Sequence, residues 1–419
     1  MRKRLFSCCI VIGMLLPQVA EAREPVPRGL NLQELLARVD KNPGLSATLL
    51  RWKATVSTSQ YAGSLEAPHL SVGIMNLPSL AGPSLTLSQS LPGGDKLHLR
   101  SLSASQQAEA AREAYEQKRL TIDRDLKQAY DDYVTMTQSL RLLDRIRAQF
   151  KSLQAIARTK FSVGSGLMQD VLRAQLEISK LETRAIAFEQ EKQTAQARLN
   201  SLVDRSLDAP IVASSNLPDP VGALNEGSQE TQSEADNPRL KALKAQISAS
   251  EAQLAIARQN RTIPDFNVGI QAGESMPGNM GYIGGMVGIN LPWLAPDRYH
   301  EQAIAAENQV TAKKAQYQDQ LLALRYRIRV LDSQLDRYRG QIALLRMDTL
   351  LQANQALNAS LAAYQTNKAD FTTVVENQTA VFDAQMEVLL DLDAYHKTLA
   401  ALEAEMGGLS TPEEGSHAS

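Results

Sequence analysis

The residues of this chain best equipped for chemistry are its five histidines and a scatter of carboxylates. His300-Glu301 opens like a zinc-protease helix, in which two histidines one turn apart hold the metal and the glutamate serves as base. The second histidine would fall at position 304, which is Ile304. None of His69, His98, His300, His396 and His417 has a histidine four residues away. Pro92-Gly93-Gly94-Asp95-Lys96 has the glycines and lysine of a phosphate loop, but lacks its spacing and the hydroxyl that would bind magnesium. Asp131-Asp132 lies among Arg and Lys in a helical stretch and is expected on a solvated face. Met276 and Met280 offer soft sulfur ligands without partners. No catalytic residue, cofactor or metal site is expected, and the chain is not read as an enzyme.

What the sequence does contain is one plan stated twice. Asn42-Pro43-Gly44-Leu45 recurs as Asn237-Pro238-Arg239-Leu240, Pro68 to Ile74 as Pro264 to Ile270, and Leu91-Pro92 as Leu291-Pro292. A unit this long is a duplicated half-structure rather than a solenoid repeat. From Asp95 to Val163 no Gly or Pro occurs, a helix of about 100 Å at ~1.5 Å per residue. Leu126, Tyr130, Tyr133, Met136, Leu140, Leu143, Phe150 and Leu153 recur near the coiled-coil period. Leu324, Ile328, Leu331, Leu335, Tyr338, Ile342 and Leu345 repeat the pattern in the second half, where Gly340 alone interrupts a Gly/Pro-free stretch from 297 to 406. Each helix must reverse, at Val163-Gly164-Ser165-Gly166 and at Thr366-Asn367-Lys368, because Gly and Asn best tolerate left-handed backbone.

Between a lead-in helix and each hairpin lie two runs of period two with one apolar side, each about the length of a tilted membrane-spanning strand. The first half spans 23–212, with strands at 68–76 and 83–91 and a helical hairpin at 95–208. The second spans 237–407, with a helix at 239–263, strands at 264–273 and 281–291, and a hairpin at 297–406. Ala81-Gly82-Pro83 and Met276-Pro277-Gly278-Asn279 read as hairpin loops. Residues 213–236 read as a polar linker and 408–419 as a disordered tail. Residues 1–22, a basic start, an apolar run and Ala20-Glu21-Ala22, read as a cleaved secretory signal peptide containing both cysteines. No lipid-anchor cysteine stands at the cleavage point. A formal charge of −2 argues against nucleic acid, and aromatics at 5% suit long, thinly packed helices better than a globule.

Four strands cannot close a barrel, and an open sheet leaves backbone groups unsatisfied in lipid. Several copies must share one barrel, and three copies give twelve strands. The fold class expected is therefore mainly α with a membrane β-barrel contribution: long coiled-coil hairpins plus four strands per chain, in a trimer with a 12-stranded barrel and an α-helical tunnel.

The plan and the first tip, Phe161-Ser162-Val163-Gly164-Ser165-Gly166-Leu167-Met168-Gln169-Asp170-Val171, resemble the TolC family of outer-membrane factors. The second tip keeps the aromatic residue as Tyr364 but has Thr366-Asn367 for Val-Gly and Thr373-Val374 for Asp-Val. The compact length is most similar to the outer-membrane components of heavy-metal (cobalt–zinc–cadmium type) efflux systems. The resemblance implies a homotrimer in the outer membrane of a Gram-negative bacterium, an inner-membrane pump of the RND type and a periplasmic adaptor. It places the family's gate aspartates at Thr373 and Glu376, with Asp370 adding charge, and a latching aspartate at Asp170. Carboxylates ringed around a pore concentrate cations and hold a constriction. Val163, Gly164 and Leu167 are the candidates for adaptor docking. The competing expectations are a factor for multidrug efflux or type I protein secretion and, from another class, a periplasmic coiled-coil adaptor or scaffold.

Overall fold

The structure, a computed structural model, describes residues 29–75, 82–220, 233–275 and 280–408. The expected signal peptide at 1–22, the Met276–Asn279 loop, the middle of the expected linker and nearly all of the expected tail lie outside the described residues.

Short helix α1 (Leu32–Leu36) leads into α2 (Pro43–Tyr61), strands β1 (His69–Met75) and β2 (Gly82–Leu91), and the hairpin α3 (Lys96–Ser162) and α4 (Met168–Leu202). The second half repeats this with α5 (Pro238–Thr262), β3 (Phe266–Ser275), β4 (Met280–Ile289), then α6 (Pro296–Leu344), α7 (Leu350–Gln365) and α8 (Phe371–Glu405). The duplicated Asn-Pro pair has one job in both places. Asn42 caps α2 by accepting from the Leu45 N–H at 3.0 Å, while its Nδ2 donates to the carbonyl of Leu202 at the end of α4 (2.9 Å). Asn237 caps α5 through the Arg239 and Leu240 N–H groups, and its Nδ2 donates to the carbonyl of Glu405 at the end of α8 (2.8 Å). Each half is thus closed on itself by one asparagine, with proline at the position where a helix has no use for its missing N–H.

The strands form one antiparallel sheet in the order β1-β2-β3-β4. Pro83 stands at the start of β2 as the expected strand 83–91 has it, opposite Ile74, and the strand begins one residue earlier, with Gly82 opposite Met75. The first positions of a strand tolerate a proline that cannot donate to the ladder. One face of the sheet is an exposed apolar surface, with Val72 77%, Ile74 86%, Ile283 82% and Val287 70% accessible. Among the described residues no helix is long and apolar enough to cross a membrane.

The glycine-rich segment that fails as a phosphate loop is the joint between sheet and helices. The Gly93 N–H donates to Asp265 Oδ1 (3.0 Å), and buried Lys96 donates to the same oxygen (2.7 Å) and to the Ile263 carbonyl (2.9 Å). A Cβ at Gly93 would lie 2.1 Å from the Pro264 carbonyl oxygen, so only glycine allows this approach.

Below the joint, α3 is the spine, packed on α2, α4, α5 and α8, while α6 packs on α5 and α8, and α7 on α8. Leu126, Tyr130 and Tyr133 meet Leu335, Ile342, Leu392 and Tyr395 in one core, and Leu143, Phe150 and Leu153 meet Phe371, Val375 and Phe382 in a second. Two helix ends differ from expectation. Helix α4 stops at Leu202 rather than near Asp208, because Asp204 turns left-handed (φ 52°) and Asn200 Nδ2 takes the carbonyls of Leu207 and Ala209. Gly340 remains helical, and the irregularity falls at a π-turn, Leu345–Thr349.

Asp131 does not lie on a solvated face. It is buried where α3 meets α8, and α8 supplies the reason: Asp393 and Lys397 face it. Lys397 Nζ bonds both Asp132 and Asp393, and Thr135 Oγ1 donates to Asp393 Oδ1 at 3.2 Å. Burial, then the nearby Asp393 charge, push the Asp131 carboxyl up to about 8, and burial also raises Asp393. Between the ordinary carboxylate range and about 8, the folded chain therefore holds a proton that the unfolded chain has lost. Stability falls as pH rises through that window. Asp131→Asn should raise the melting temperature more at pH 8 than at pH 5; equal gains at both pH values would show that Asp131 is ionised throughout.

Candidate functional site

The two helical reversals lie together at the end of the hairpins far in sequence from the sheet. In the first, Gly164 is left-handed (φ 75°) and the Ser165 N–H donates to the Lys160 carbonyl at 2.9 Å, closing α3. A Cβ at Gly166 would lie 2.8 Å from Lys160 Cβ, so this glycine is also dictated by space. In the second, Asn367 takes the left-handed role (φ 59°) and the Lys368 N–H donates to the Ala363 carbonyl at 2.8 Å.

The tips are joined by side chains from both halves. Lys160 Nζ donates to the Tyr364 carbonyl and to Asn367 Oδ1 (2.5 Å), and stands 4.3 Å from the Tyr364 ring centre. The Tyr364 hydroxyl donates to Asp170 Oδ2 at 3.2 Å. Burial, with the Asp170 charge behind it, pushes that hydroxyl up to about 12, so it stays a donor at any physiological pH. Tyr364 packs on Phe371 at 5.2 Å. One turn past Asp170, Arg173 donates to Thr372 Oγ1 (2.8 Å) and approaches Glu376 at 3.7 Å.

These contacts sort the residues singled out from sequence. Asp170 sits in the tip-to-tip contact. Glu376 is an exposed carboxylate beside Arg173, a pairing worth about 0–1 kcal/mol at such a surface. Asp370 forms the exposed cap of α8, and Thr373 is exposed one turn on, its N–H donating to the Asp370 carbonyl. Val163 and Leu167 are exposed (71% and 64%), and Gly164 faces open space. Sequence reading missed Lys160 and Arg173. The only trace of Arg173 was its i+3 spacing from Asp170, whereas the partners of Lys160 lie more than two hundred residues away and leave no local sign.

With this geometry in place, the model of the outer membrane efflux proteins matches residues 36–204 and 231–408, most of the chain. The chain belongs to the outer membrane efflux protein family. Its two matched segments are the two halves described above. This efflux protein is 23% identical over 177 residues to the cobalt-zinc-cadmium resistance protein CzcC of Cupriavidus metallidurans, and the match spans 42% of each protein. Its fold is that of solved outer-membrane channels. It superimposes on OprN with a TM-score of 0.80 at 15% identity, covering 90% of both chains. CusC gives 0.79 at 15% identity (91% and 93% covered), and VceC from Vibrio cholerae 0.75 at 18% (90% and 96%).

Tyr364→Phe removes the bond to Asp170 and keeps the ring packing. A hydrogen bond to a charged acceptor, partly exposed, is worth ~1 kcal/mol, about fivefold in an opening equilibrium. Amide exchange across residues 160–170 and 364–372 should quicken by about that factor, with no change in α3 near Leu126. Unchanged exchange at the tips would show that the contact does not hold them.

Proposed function

We propose that this protein is the outer-membrane exit duct of a tripartite efflux pump, assembled as a homotrimer with a shared 12-stranded barrel and a helical tunnel. One observation carries the reading: an open four-stranded sheet with an exposed apolar face stands on two very long helical hairpins. In hydrocarbon such a sheet must find partners for its edges, and copies of itself supply them. The chain directs no chemistry at its cargo; the tunnel conducts what an inner-membrane RND-type pump delivers through a periplasmic adaptor. The partial likeness to CzcC favours heavy-metal cations as that cargo. The exposed Val163, Gly164 and Leu167 form the adaptor-docking end, where the bare glycine admits a partner's backbone.

Deleting the gene should sensitise the host to cobalt, zinc or cadmium salts, and the purified protein should have the native mass of a trimer. Plasmid-borne protein should restore growth, while Gly164→Trp should reach the membrane and fail to restore it. Sensitivity to organic toxicants alone would move the cargo to multidrug efflux, and a monomer free of the membrane would sink the duct.

Glu376, with Asp370, is the gate ring in this reading, and Asp170 the latch that Tyr364 closes. Thr373 leaves the second ring uncharged. Glu376→Gln in planar bilayers should lower cation selectivity and block by divalent cations; if both were unchanged, Glu376 would have no gating role.

A further inference from the structure

Helices α5 and α6 part at the end nearest the sheet and leave an open groove of about 530 Å³ between them. Arg258, Gln259, Arg261 and Thr262 of α5 and His300 and Ile304 of α6 line it. Glu307 is the one carboxylate in its wall, and Arg258 faces it across the groove at 3.6 Å. Arg261, in the last turn of α5, has no carboxylate within 4.0 Å among the described residues. The groove therefore keeps a guanidinium in excess, beside an imidazole, a hydroxyl and an amide. That set suits a phosphate. A guanidinium offers it two parallel N–H donors, and the neutral groups can bond its remaining oxygens.

Its height and its outlook both point to the membrane surface. Trp293 and Leu294, exposed at 57% and 74%, lie in the turn between β4 and α6. An exposed tryptophan beside apolar strands marks the level where hydrocarbon meets water. His300 follows four residues into α6, roughly 6 Å below its start at ~1.5 Å per residue. The outlook follows from the handedness of the chain. In the duct, Phe266, Val268 and Ile270 face lipid, so Asp265 faces inward, and its carbonyl accepts from the Asn290 N–H beyond β4 at 3.0 Å. In an upward strand of L-residues seen from outside, inward residues bond to the strand on the left, so β4 and α6 lie left of β3 and α5. Right-handed helices in that order turn Ala255, Gln259 and Thr262 of α5 outward, together with His300, Ile304 and Thr311 of α6. These residues line the groove and its continuation down the two helices, which therefore opens on the outer wall.

We infer that this groove holds the phosphate of a phospholipid headgroup, drawn from the leaflet nearer the helices. The inference rests on the outer-membrane duct above and adds a lipid site to its outer wall. Arg261 and Arg258 supply the charge, Thr262 and His300 further hydrogen bonds, and Trp293 and Leu294 above them an apolar surface for the acyl chains. The first half offers no such place. By the repeat, Gly63 stands for Arg258 and Arg100 for His300. A Cβ at Gly63 would lie 3.0 Å from Ser101 Cβ, so α2 and α3 are in contact there, and Arg100 approaches Glu66 at 3.9 Å. Each copy therefore holds one lipid, not two.

Native mass spectrometry of the full-length protein in a neutral detergent tests this, with phosphatidylglycerol as the probe. Wild-type protein should retain one lipid per copy. Arg258→Ala/Arg261→Ala should lower the bound lipid several-fold, and Arg258→Lys/Arg261→Lys should fall between the two. Arg158→Ala, exposed near the first tip, should leave it unchanged. A glycolipid with the same acyl chains and no phosphate should bind several-fold less than phosphatidylglycerol. Equal retention by the alanine variant, or equal binding of the glycolipid, would overturn the site. Inorganic phosphate that displaces the lipid and binds as tightly would assign the groove to a soluble anion and reject the headgroup. The same spectra separate the two readings: trimers without arginine-dependent lipid reject the groove alone, whereas monomers recovered outside the membrane reject the duct.

Discussion

A backbone N–H or C=O in hydrocarbon has no water to turn to, and the free edges of a four-stranded sheet carry a row of each. This one constraint orders the rest of the molecule. It requires the strands to be completed from outside the chain; in the trimer proposed above, the same copies also fix how many helical hairpins surround the axis. The hairpins carry the low aromatic share of the sequence, 5%, in two narrow cores rather than one large one. Even the bond from buried Lys96 to half-exposed Asp265 belongs to this logic, because the sheet and the helices meet at a sharp change of backbone geometry that something must fix.

The features legible in the sequence were those written locally. Gly164 of the first reversal, which has no Cβ, and Asn367 of the second announce left-handed backbone by residue type alone. The Asn-Pro pairs announce helix starts, and alternation announces strands. What was not legible was whatever one helix brings to another. Asp131 sits in the same basic and acidic surroundings along the chain as a solvated residue would, and only α8, more than two hundred and fifty residues later, buries it. Lys160 reads as one more surface lysine until Tyr364 and Asn367 arrive beneath it. The family resemblance supplied roles for Asp170 and Glu376 that spacing alone does not, and the structure places both at contacts between the two halves.

The halves are copies in plan and unlike in detail, and the differences lie where one end meets another. Their capping asparagines serve identically. Their joints do not, with Lys96 bound to Asp265 in one and Trp293 and Pro296 at the matching positions of the other, and their tips do not, with two glycines in one and an asparagine held by a lysine in the other. Duplication gave each chain two of everything; divergence at the joints and tips gave the two copies different partners within the chain.

The π-turn at Leu345–Thr349 carries one of these differences through the second hairpin. Each residue added to a helix rotates everything after it by about 100°, and a π-turn absorbs one such residue without ending the helix. The first hairpin reaches its tip through an unbroken α3, so its facing is set at Lys96. The second resets its phase some fifteen residues before Tyr364. The orientation of that tyrosine toward Asp170 is therefore not inherited from the coiled coil above it. It is dialled in by a single turn of helix, much as a keyway fixes the angle of a shaft.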